Sequence, residues 1–186
     1  MIIKGKFVTL RAIEKEDLPQ FKVWANAPEI QYLVGGWHFP TNAIDQAKWF
    51  ENLSIHSLNQ RFAIETEERG LIGSATLVEI NWKDRNAVEG LIVGDKEIRG
   101  KGYGTDTVMA IMRYAFEELG LHRLATTIIE YNEASLYLHT KKCGWKEEGR
   151  QKDWYFRKGR FWERIIIGVT REDYDALVKA NKYWSD

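Results

Sequence analysis

The fold class is decided by residues 87–129, which read AVEGLIVGDKEIRGKGYGTDTVMAIMRYAFEELGLHRLATTII. The segment opens on an apolar strand at residues 87–93 and closes on a β-branched strand at residues 123–129. Between them, residues 105–119 place apolar side chains on one stripe of a helix, and Gly120 supplies its stop signal. This sequence of elements predicts a βαβ crossover, and ligands of such folds lie beyond the carboxyl ends of the parallel strands.

The rest of the chain adds strands and helices on either side of this crossover. Alternation predicts strands at residues 7–11, 61–66 and 71–80, and an antiparallel hairpin of residues 146–156 and 161–170 that turns at Lys158-Gly159. Helical spacing predicts helices at residues 17–26, 45–58 and 134–143 and from about Arg171, with an irregular segment at residues 32–42. The order β-α-α-β-β-β-α-β-α-β-β predicts a mixed α/β layer fold, and we expect one domain over residues 1–186.

Composition narrows the function classes. The 186 residues are 44% hydrophobic and 29% charged, and they can bury a core without disulfides or metals. Basic and acidic residues both number 27, and the zero net charge argues against a general nucleic-acid binder.

The single cysteine, Cys143, allows no intrachain disulfide and no cysteine metal cluster, so we expect a small buried side chain there and no bound metal. No apolar run reaches the ~18 residues of a membrane span and no export signal opens the chain, so we expect a cytoplasmic protein that binds no membrane.

The loop Arg99-Gly100-Lys101-Gly102-Tyr103-Gly104 carries the chemistry of the crossover. Its glycines let backbone amides approach a ligand closely, and the following helix adds free N–H groups and a positive dipole end. Such a site suits a phosphate or pyrophosphate, and two basic side chains in the loop add positive charge. The sequence lacks a Walker loop, and the dinucleotide pattern G-x-G-x-x-G meets Thr105 in place of its third glycine. A plain glycine-rich turn is the alternative.

Four segments carry a family resemblance. They read LIVGDKEIRGKGYGTDTVMAIMRYAFEELGLHRL (residues 91–124), YNEASLYLHTKKCGWKEEG (131–149), VTLRAIEKEDL (8–18) and RKGRFWERIIIGVTREDY (157–174). Together they resemble the GNAT N-acetyltransferases, in particular the RimJ/RimL-like branch with its spermidine and ribosomal-protein N-acetyltransferases. Arg99, Gly102 and Gly104 match the family's pyrophosphate loop, [Q/R]-x-x-G-x-[G/A]. The resemblance implies the GNAT fold, a central mixed, largely antiparallel sheet with a splayed parallel pair and helices on both faces.

The resemblance also implies an activity. A GNAT enzyme transfers the acetyl group of acetyl-CoA to a primary amine by direct attack, without a covalent enzyme nucleophile. An amine with a pKa near ~10 must first lose a proton, and the leaving thiolate must gain one. The expected partner is therefore a small-molecule amine, such as a polyamine, or a peptide N-terminus, and a homodimer is one expected assembly.

By position, the family assigns the acetyl-CoA contacts to three places. The strand end would hold the pantetheine arm through backbone hydrogen bonds, the loop would wrap the pyrophosphate, and the next helix start would contact the arm. These residues are Ile92, Val93 and Gly94 in the strand, Arg99, Gly100, Lys101, Gly102, Tyr103, Gly104 and Thr105 in the loop, and Asn132 and Ser135 at the helix start. Parallel strands that splay apart leave unpaired backbone groups, which an amide-bearing arm can satisfy.

Glu89 is the candidate general base, acting directly or through a water molecule. A carboxylate in so apolar a strand is costly unless it faces a polar cleft or has a partner. A salt-bridged strand residue is therefore the alternative interpretation. Many relatives carry this acid one place earlier, where the present chain has Val88, and a shift of one residue along a strand moves a side chain to the opposite face.

The general acid is chosen by counting along the helix after the glycine loop. Many GNAT enzymes have a tyrosine seven residues after the motif's asparagine, and that count from Asn132 gives His139. Counting back from Gly144 gives Thr140, because this helix carries one extra residue. We follow the first count and take His139 as the candidate acid, with Tyr137, on a different helical face, as the second choice. A capping or exposed histidine is the alternative.

The acceptor site of the family lies between the first two helices and the C-terminal hairpin. Tyr32, Trp37, Glu79, Asn81 and Trp82 are candidate walls of this cleft, and the acidic Glu79 beside aromatic residues suits a cationic amine.

Two other functions stay open on the sequence alone. One is a non-catalytic acyl-CoA-binding sensor with the same fold, supported by the displaced acid and by the absence of the family's tyrosine. The other, a nucleotide-dependent enzyme, is disfavoured because both nucleotide patterns fail.

Overall fold

The computed structural model describes residues 2–36, 39–94 and 96–184, and these residues form eight strands and six α-helices. The strands are β1 (Ile3–Lys4), β2 (Thr9–Arg11), β3 (Gln60–Thr66), β4 (Gly70–Asn81), β5 (Asn86–Val93), β6 (Arg123–Ile129), β7 (Lys146–Arg157) and β8 (Arg160–Thr170). The helices are α1 (Leu18–Ala25), α2 (Pro28–Leu33), α3 (Ala43–Glu51), α4 (Tyr103–Arg113), α5 (Glu133–Tyr137) and α6 (Arg171–Asn181). Turns of π-helix extend α4 over Tyr114–Glu118 and α5 over Leu138–Lys142.

The strands form one sheet in the order β1-β2-β3-β4-β5-β6-β8-β7. Every neighbouring pair is antiparallel except β5 and β6. These two strands pair only through Asn86, Ala87 and Val88, opposite residues 123–125, and then diverge. The structure thus confirms the expected mixed, largely antiparallel sheet with a splayed parallel pair, and the divergence leaves one side of residues 89–93 without a strand partner.

Helices cover both faces of the sheet. Ala63 and Ile64 are adjacent in β3, so their side chains leave opposite faces. Ile64 belongs to the larger hydrophobic core with Met112 of α4, whereas Ala63 packs with Phe21 and Trp24 of α1. The crossover helix therefore lies on one face and the N-terminal helices on the other, as the family resemblance implies.

A buried carboxylate ties the start of α4 to both ends of the chain. Asp106 is only 1% exposed and accepts hydrogen bonds from the backbone N–H groups of Lys6, Phe7 and Val8 at 2.9, 2.7 and 3.0 Å. The hydroxyl of Tyr183 donates to the same carboxylate at 3.0 Å. Because an unpaired buried carboxylate is costly, these four donors fix the N-terminal loop and the C-terminal segment against the helix that follows the glycine loop.

Several boundaries differ from the sequence-based expectation. The helix expected at residues 45–58 is Ala43–Glu51, because the side chain of Asn42 accepts a hydrogen bond from Asp45 N and caps it two residues earlier. The irregular segment expected at residues 32–42 begins inside α2, a one-and-a-half-turn helix that opens on Pro28. The two-residue strand β1 was not predicted because it is too short to show alternation. The hairpin turn at Lys158-Gly159 is confirmed, with positive φ angles of 49° and 78°.

None of the described helices is long and apolar enough to cross a membrane. The cytoplasmic location stays a prediction.

Candidate functional site

The main cavity has a volume of about 1020 Å³ and lies where β5 and β6 diverge. Its walls are residues 89–93 of β5, residues 126–129 of β6, the glycine loop and the first turns of α5. The cavity therefore opens at the carboxyl ends of the parallel pair, where the crossover predicted a ligand site.

The glycine loop uses its three glycines in two ways. Gly100 and Gly102 have φ angles of 81° and 90°, a region that glycine enters at no steric cost, and nothing lies within 4 Å of where their Cβ atoms would be. Gly102 is also the N-cap of α4, so the free N–H groups of that helix begin here. A Cβ on Gly104 would lie 2.8 Å from Leu138 Cδ1, so this glycine permits close packing of α4 on α5. Of the predicted loop residues, those that line the main cavity are Arg99, Gly100, Gly102, Tyr103, Gly104 and Thr105.

The end of β5 presents its backbone to the main cavity at alternate residues. Gly94 N donates to Ile72 O at 2.9 Å, so its backbone points towards β4. Because the direction alternates along a strand, Ile92 also turns towards β4, whereas Leu91 and Val93 turn towards the gap beside β6. A Cβ on Gly94 would lie 2.0 Å from Trp24, so this glycine allows the strand to pack against α1. Of the three strand residues predicted to contact the arm, Val93 alone has its backbone facing the gap, and Leu91, which was not predicted, joins it.

The first turn of α5 is fixed by Asn132. Its side-chain oxygen accepts a hydrogen bond from Ser135 N at 3.3 Å, and its amide donates to Leu33 O at 3.1 Å. The residue therefore caps α5 and joins it to α2. Asn132 and Ser135 both line the main cavity, their contact with the cofactor arm stays a prediction, and Ser135 shares a helix face with His139 four residues on.

Glu89 and His139 form a buried pair at the base of the main cavity. His139 Nε2 lies 3.2 Å from Glu89 Oε2, and the exposed fractions of the two side chains are 4% and 1%. The other ring nitrogen, Nδ1, donates to the carbonyl oxygen of Ser135 at 2.8 Å. A carbonyl oxygen can only accept, so Nδ1 carries a proton, and a carboxylate at Nε2 favours a second one.

The charge state of His139 follows from these contacts. Burial by itself lowers the pKa of His139, but the hydrogen bond and the negative charge of Glu89, together with the Ser135 carbonyl, outweigh it and raise this pKa. The second carboxylate oxygen of Glu89, Oε1, is buried and has no hydrogen-bond partner among the described residues. The site thus holds a histidine whose pKa is raised, the carboxyl group that raises it and one uncommitted acceptor atom.

A π-helical turn explains why the two counts along α5 disagree. Over Leu138–Lys142 the helix is widened, and Cys143 N donates to Leu138 O, five residues back, at 3.1 Å. The widened turn absorbs the extra residue, so His139 keeps its place opposite Glu89 while Gly144, with a φ of 75°, still ends the helix. Thr140 instead donates its hydroxyl to Leu136 O. The count from Asn132 therefore identifies the side chain that meets Glu89.

Tyr137 occupies a different surface of α5. Its side chain lines the main cavity near the rim and is 57% exposed, with Lys142 Nζ 5.7 Å from the ring centroid. It has free access to solvent, whereas the Glu89–His139 pair is nearly closed to it.

Cys143 is fully buried, and burial raises the pKa of its thiol. It behaves as the small core residue that the sequence predicted.

None of the predicted acceptor walls among the described residues lines either cavity. Tyr32 lies in α2, and its ring stacks on Tyr131 with centroids 4.3 Å apart. Trp37 lies outside the described residues. Glu79, Asn81 and Trp82 lie at the β4–β5 turn, because β4 continues to Asn81 and pairs it with Asn86. That turn is at the opposite end of β5 from the glycine loop, and these three residues are not among the walls of either cavity described here.

A second cavity of about 660 Å³ was not predicted from the sequence. It lies between the sheet and the N-terminal helices, with the aromatic side chains of Phe21, Trp24 and Trp49 in its wall. The residues that it shares with the main cavity are Ile30, Arg61, Ser74, Thr76 and Ile92. The signal in the sequence is the pair of hydroxyl residues, Ser74 and Thr76, at alternate positions of an otherwise apolar strand.

Comparison with known proteins agrees with this geometry. A model of the acetyltransferase (GNAT) domain matches residues 8–146. The spermidine N(1)-acetyltransferase of Vibrio cholerae is 30% identical over 169 residues, which are 90% of this chain and 95% of that protein. The SPbeta prophage-derived uncharacterized N-acetyltransferase YokL of Bacillus subtilis is 29% identical over 171 residues, 92% of this chain and 94% of that protein.

Solved structures give the same answer. The crystal structure of the Vibrio cholerae spermidine N-acetyltransferase in complex with CoA and spermine has a TM-score of 0.80 and 28% identity, over 91% of this chain and 99% of that one. Since the family match covers most of the chain and the splayed strands, glycine loop and capped α5 stand together around one cavity, the chain belongs to the GNAT family and is an acetyl-CoA-dependent N-acetyltransferase.

Proposed function

We propose that the main cavity binds acetyl-CoA and that the buried Glu89–His139 pair moves the protons of acetyl transfer to a primary amine. The observation that carries this proposal is the 3.2 Å contact between His139 Nε2 and Glu89 Oε2 at the point where β5 and β6 diverge. Perturbed ionisable groups in a cleft are typical of acid–base sites.

The cavity fits the cofactor in three respects. Leu91 and Val93 offer strand-edge backbone groups to the amides of the pantetheine arm. Gly100 and Gly102 leave open space where side chains would otherwise block a pyrophosphate, and the N-terminus of α4 adds N–H donors. Asn132 and Ser135 hold the start of α5 against the same cavity. Acetyl-CoA supplies the thioester carbonyl and the thiolate leaving group.

The proton transfers are assigned to the two buried side chains. Oε1 of Glu89 has no partner among the described residues and is the atom that accepts the proton of the substrate ammonium, directly or through one water. His139 carries protons on both nitrogens and is the source of the proton for the leaving thiolate. The Glu89–His139 pair is nearly closed to bulk water. Both proton transfers therefore need the bound substrate, and unproductive proton exchange with solvent is reduced.

We propose the acceptor only as a class of amine and the assembly only as a minimum number of subunits. The acceptor is a primary amine that enters by way of the second cavity and meets Glu89 in the main cavity, and the candidate classes are polyamines, peptide N-termini and other small amines. The Vibrio cholerae spermidine N-acetyltransferase has a dodecameric structure. We expect the present chain to self-associate as well, at least as a homodimer, and size-exclusion chromatography with light scattering measures this; a monomer at micromolar concentration contradicts it.

The test of the proposed function is release of CoA from acetyl-CoA over a panel of primary amines. We expect at least one amine to give turnover above hydrolysis and Glu89→Gln to lose most of that turnover. Glu67→Gln, at an exposed glutamate in the β3–β4 turn, is the matched control. Tight acetyl-CoA binding with no CoA release for any amine would contradict the proposal and favour the sensor.

A further inference from the structure

The junction of the two cavities holds an arginine without a counter-ion. Arg61 lines both cavities near the start of β3. Within the described residues, its guanidinium makes no ion pair within 4.0 Å and no side-chain hydrogen bond. The residue is exposed at the junction, and partial desolvation by the surrounding protein lowers the pKa of Arg61. An unpaired guanidinium at this junction is available to an anion that enters either cavity.

Strand register places hydroxyl groups beside this arginine. Arg61 stands directly opposite Thr76, and Thr76 stands opposite Gly90, so the three residues form one row on the same face of the sheet. Ser74 lies two residues from Thr76 on the same face. Gly90 is the neighbour of Glu89, whose side chain leaves the opposite face of the sheet, and two strand spacings of ~4.8 Å separate Gly90 from β3. Arg61 and Glu89 both line the main cavity, which therefore connects the two faces. A group bound at Arg61 therefore lies within about 10 Å of the strand that carries the candidate base.

The remaining charges of the two cavities do not favour a second ammonium group at this point. Glu89 is already paired with His139. Asp45, the acidic residue in the wall of the second cavity, is exposed on α3 and makes no ion pair with Arg61. The other charged residues that line the main cavity, Lys6, Arg99 and Lys142, are basic, and the second cavity is lined mostly by aromatic and aliphatic residues. A diamine whose reacting nitrogen lies at Glu89 would bring its second charge towards Arg61, where like charges repel.

We propose that Arg61, with the hydroxyls of Thr76 and Ser74, forms an anion subsite, and that the acceptor is an amine carrying a carboxylate rather than a polyamine. This inference rests on the proposed function, because it takes the reacting amine to lie near Glu89. Guanidinium and hydroxyl groups bind a carboxylate through charge-assisted hydrogen bonds. The apolar walls then hold the carbon chain between the two ends of the acceptor.

Matched acceptors test the proposal. Putrescine and 4-aminobutyrate have the same four-carbon length and differ in one terminal group, an ammonium or a carboxylate. We expect kcat/KM for 4-aminobutyrate, or for another member of the series from β-alanine to 6-aminohexanoate, to exceed that of its diamine partner at least ~10-fold, which corresponds to ~1.4 kcal/mol. Equal values, or higher values for the diamines and spermidine, would overturn the subsite while leaving the proposed function intact.

Two variants and one control locate the effect. Arg61→Gln should remove the preference for the aminocarboxylate, and Arg171→Gln, at an exposed arginine of α6, should leave it unchanged. Thr76→Glu places a carboxylate opposite Arg61 and should reverse the preference towards diamines. Preserved thermal stabilisation by CoA shows that each variant is folded. An unchanged preference in Arg61→Gln contradicts the assignment.

A binding measurement keeps the proposal separate from catalysis. Glutarate carries two carboxylates and no amine, so it cannot react. In calorimetry with the CoA complex, we expect wild type to bind glutarate and Arg61→Gln to bind it at least ~10-fold more weakly. Absence of glutarate binding to wild type would overturn the anion subsite whatever the amine assays show.

Discussion

Replacing Glu89 by glutamine keeps the shape of the buried pair and removes its negative charge. In the wild type, the carboxylate lies 3.2 Å from His139 Nε2 and both side chains are almost fully buried. A glutamine amide can donate to Nε2 only if this nitrogen is unprotonated, while Nδ1 keeps its bond to the Ser135 carbonyl. What then acts on His139 is chiefly desolvation by burial, which lowers its pKa.

The stability of the wild type and the stability of Glu89→Gln should therefore depend on pH in different ways. In the wild type, the pKa of His139 is higher in the folded protein than in the unfolded chain, where it is about 6.5. The contribution of His139 to the free energy of unfolding is therefore fully present below pH 6.5 and is lost as the pH rises through the folded-state pKa. In Glu89→Gln, burial lowers the pKa of His139 below its unfolded value of about 6.5. The variant therefore loses free energy of unfolding as the pH falls below about 6.5. A difference of one bound proton between the folded and unfolded states changes the free energy of unfolding by at most ~1.4 kcal/mol per pH unit. The difference in unfolding free energy, wild type minus variant, should thus fall by up to ~3 kcal/mol between pH 5.5 and 7.5.

Urea unfolding at pH 5.5, 6.5 and 7.5 measures this difference. The titrating groups other than Glu89 and His139 are common to both proteins and cancel, and Glu67→Gln controls for loss of a carboxylate. A difference that does not change with pH would show that His139 is not held as the charged partner of Glu89, and the proposed proton source would then be wrong.

Three further substitutions test the glycine loop, the buried carboxylate of α4 and the second-choice acid. Gly102→Val should abolish the stabilisation by CoA, which in wild type is ~2.7 kcal/mol at a hundredfold excess over Kd, because a branched side chain at a φ of 90° both strains the loop and blocks the pyrophosphate; thermal shift measures it. Asp106→Asn should lower the unfolding free energy in urea by ~2–4 kcal/mol, because three backbone donors and Tyr183 lose a charged acceptor. Tyr137→Phe should lower turnover less than ~10-fold, because this exposed side chain does not contact the buried pair.

Matched controls separate these effects from general destabilisation. Gly120 also has a positive φ, 67°, and open space at its Cβ position, so Gly120→Val should cost similar strain without loss of CoA binding. Asp175→Asn removes an exposed carboxylate of α6 and should change stability by less than ~0.5 kcal/mol. Normal CoA binding by folded Gly102→Val would reduce the loop to a structural turn, and equal stability losses in the two aspartate variants would remove the special role of Asp106.

Local patterns predicted the glycine loop and the crossover helix, because each depends on residues close together in the chain, whereas the splayed parallel pair was predicted from the family resemblance. The contact between Glu89 and His139 joins positions fifty residues apart, so the sequence could nominate the two side chains separately without pairing them. The one-residue departures in the strand and in α5 were each a reason to question the site. In the structure Glu89 faces His139, and the π turn after Tyr137 keeps the histidine in place.

The acceptor side was predicted less well, for reasons of strand length and direction. Glu79 and Trp82 look adjacent to the cleft in sequence, but β4 runs on to Asn81 and takes them to the far end of the sheet. Arg61 and Thr76 come together only through the register of β3 on β4, which a single sequence does not specify. The alternation of hydroxyl residues in β4 was visible and marks the face that lines the second cavity.

The most direct test of the central claim, that the buried pair moves the protons, is the turnover rate of His139→Ala compared with its acetyl-CoA affinity. We expect kcat to fall ~10²–10⁴-fold while Kd for acetyl-CoA changes far less, since a group that supplies a proton to the leaving thiolate acts in the transition state. His122→Ala, at an exposed histidine before β6, is the matched control and should keep normal turnover. Near-normal kcat in His139→Ala, with acetyl-CoA still bound, would contradict the account.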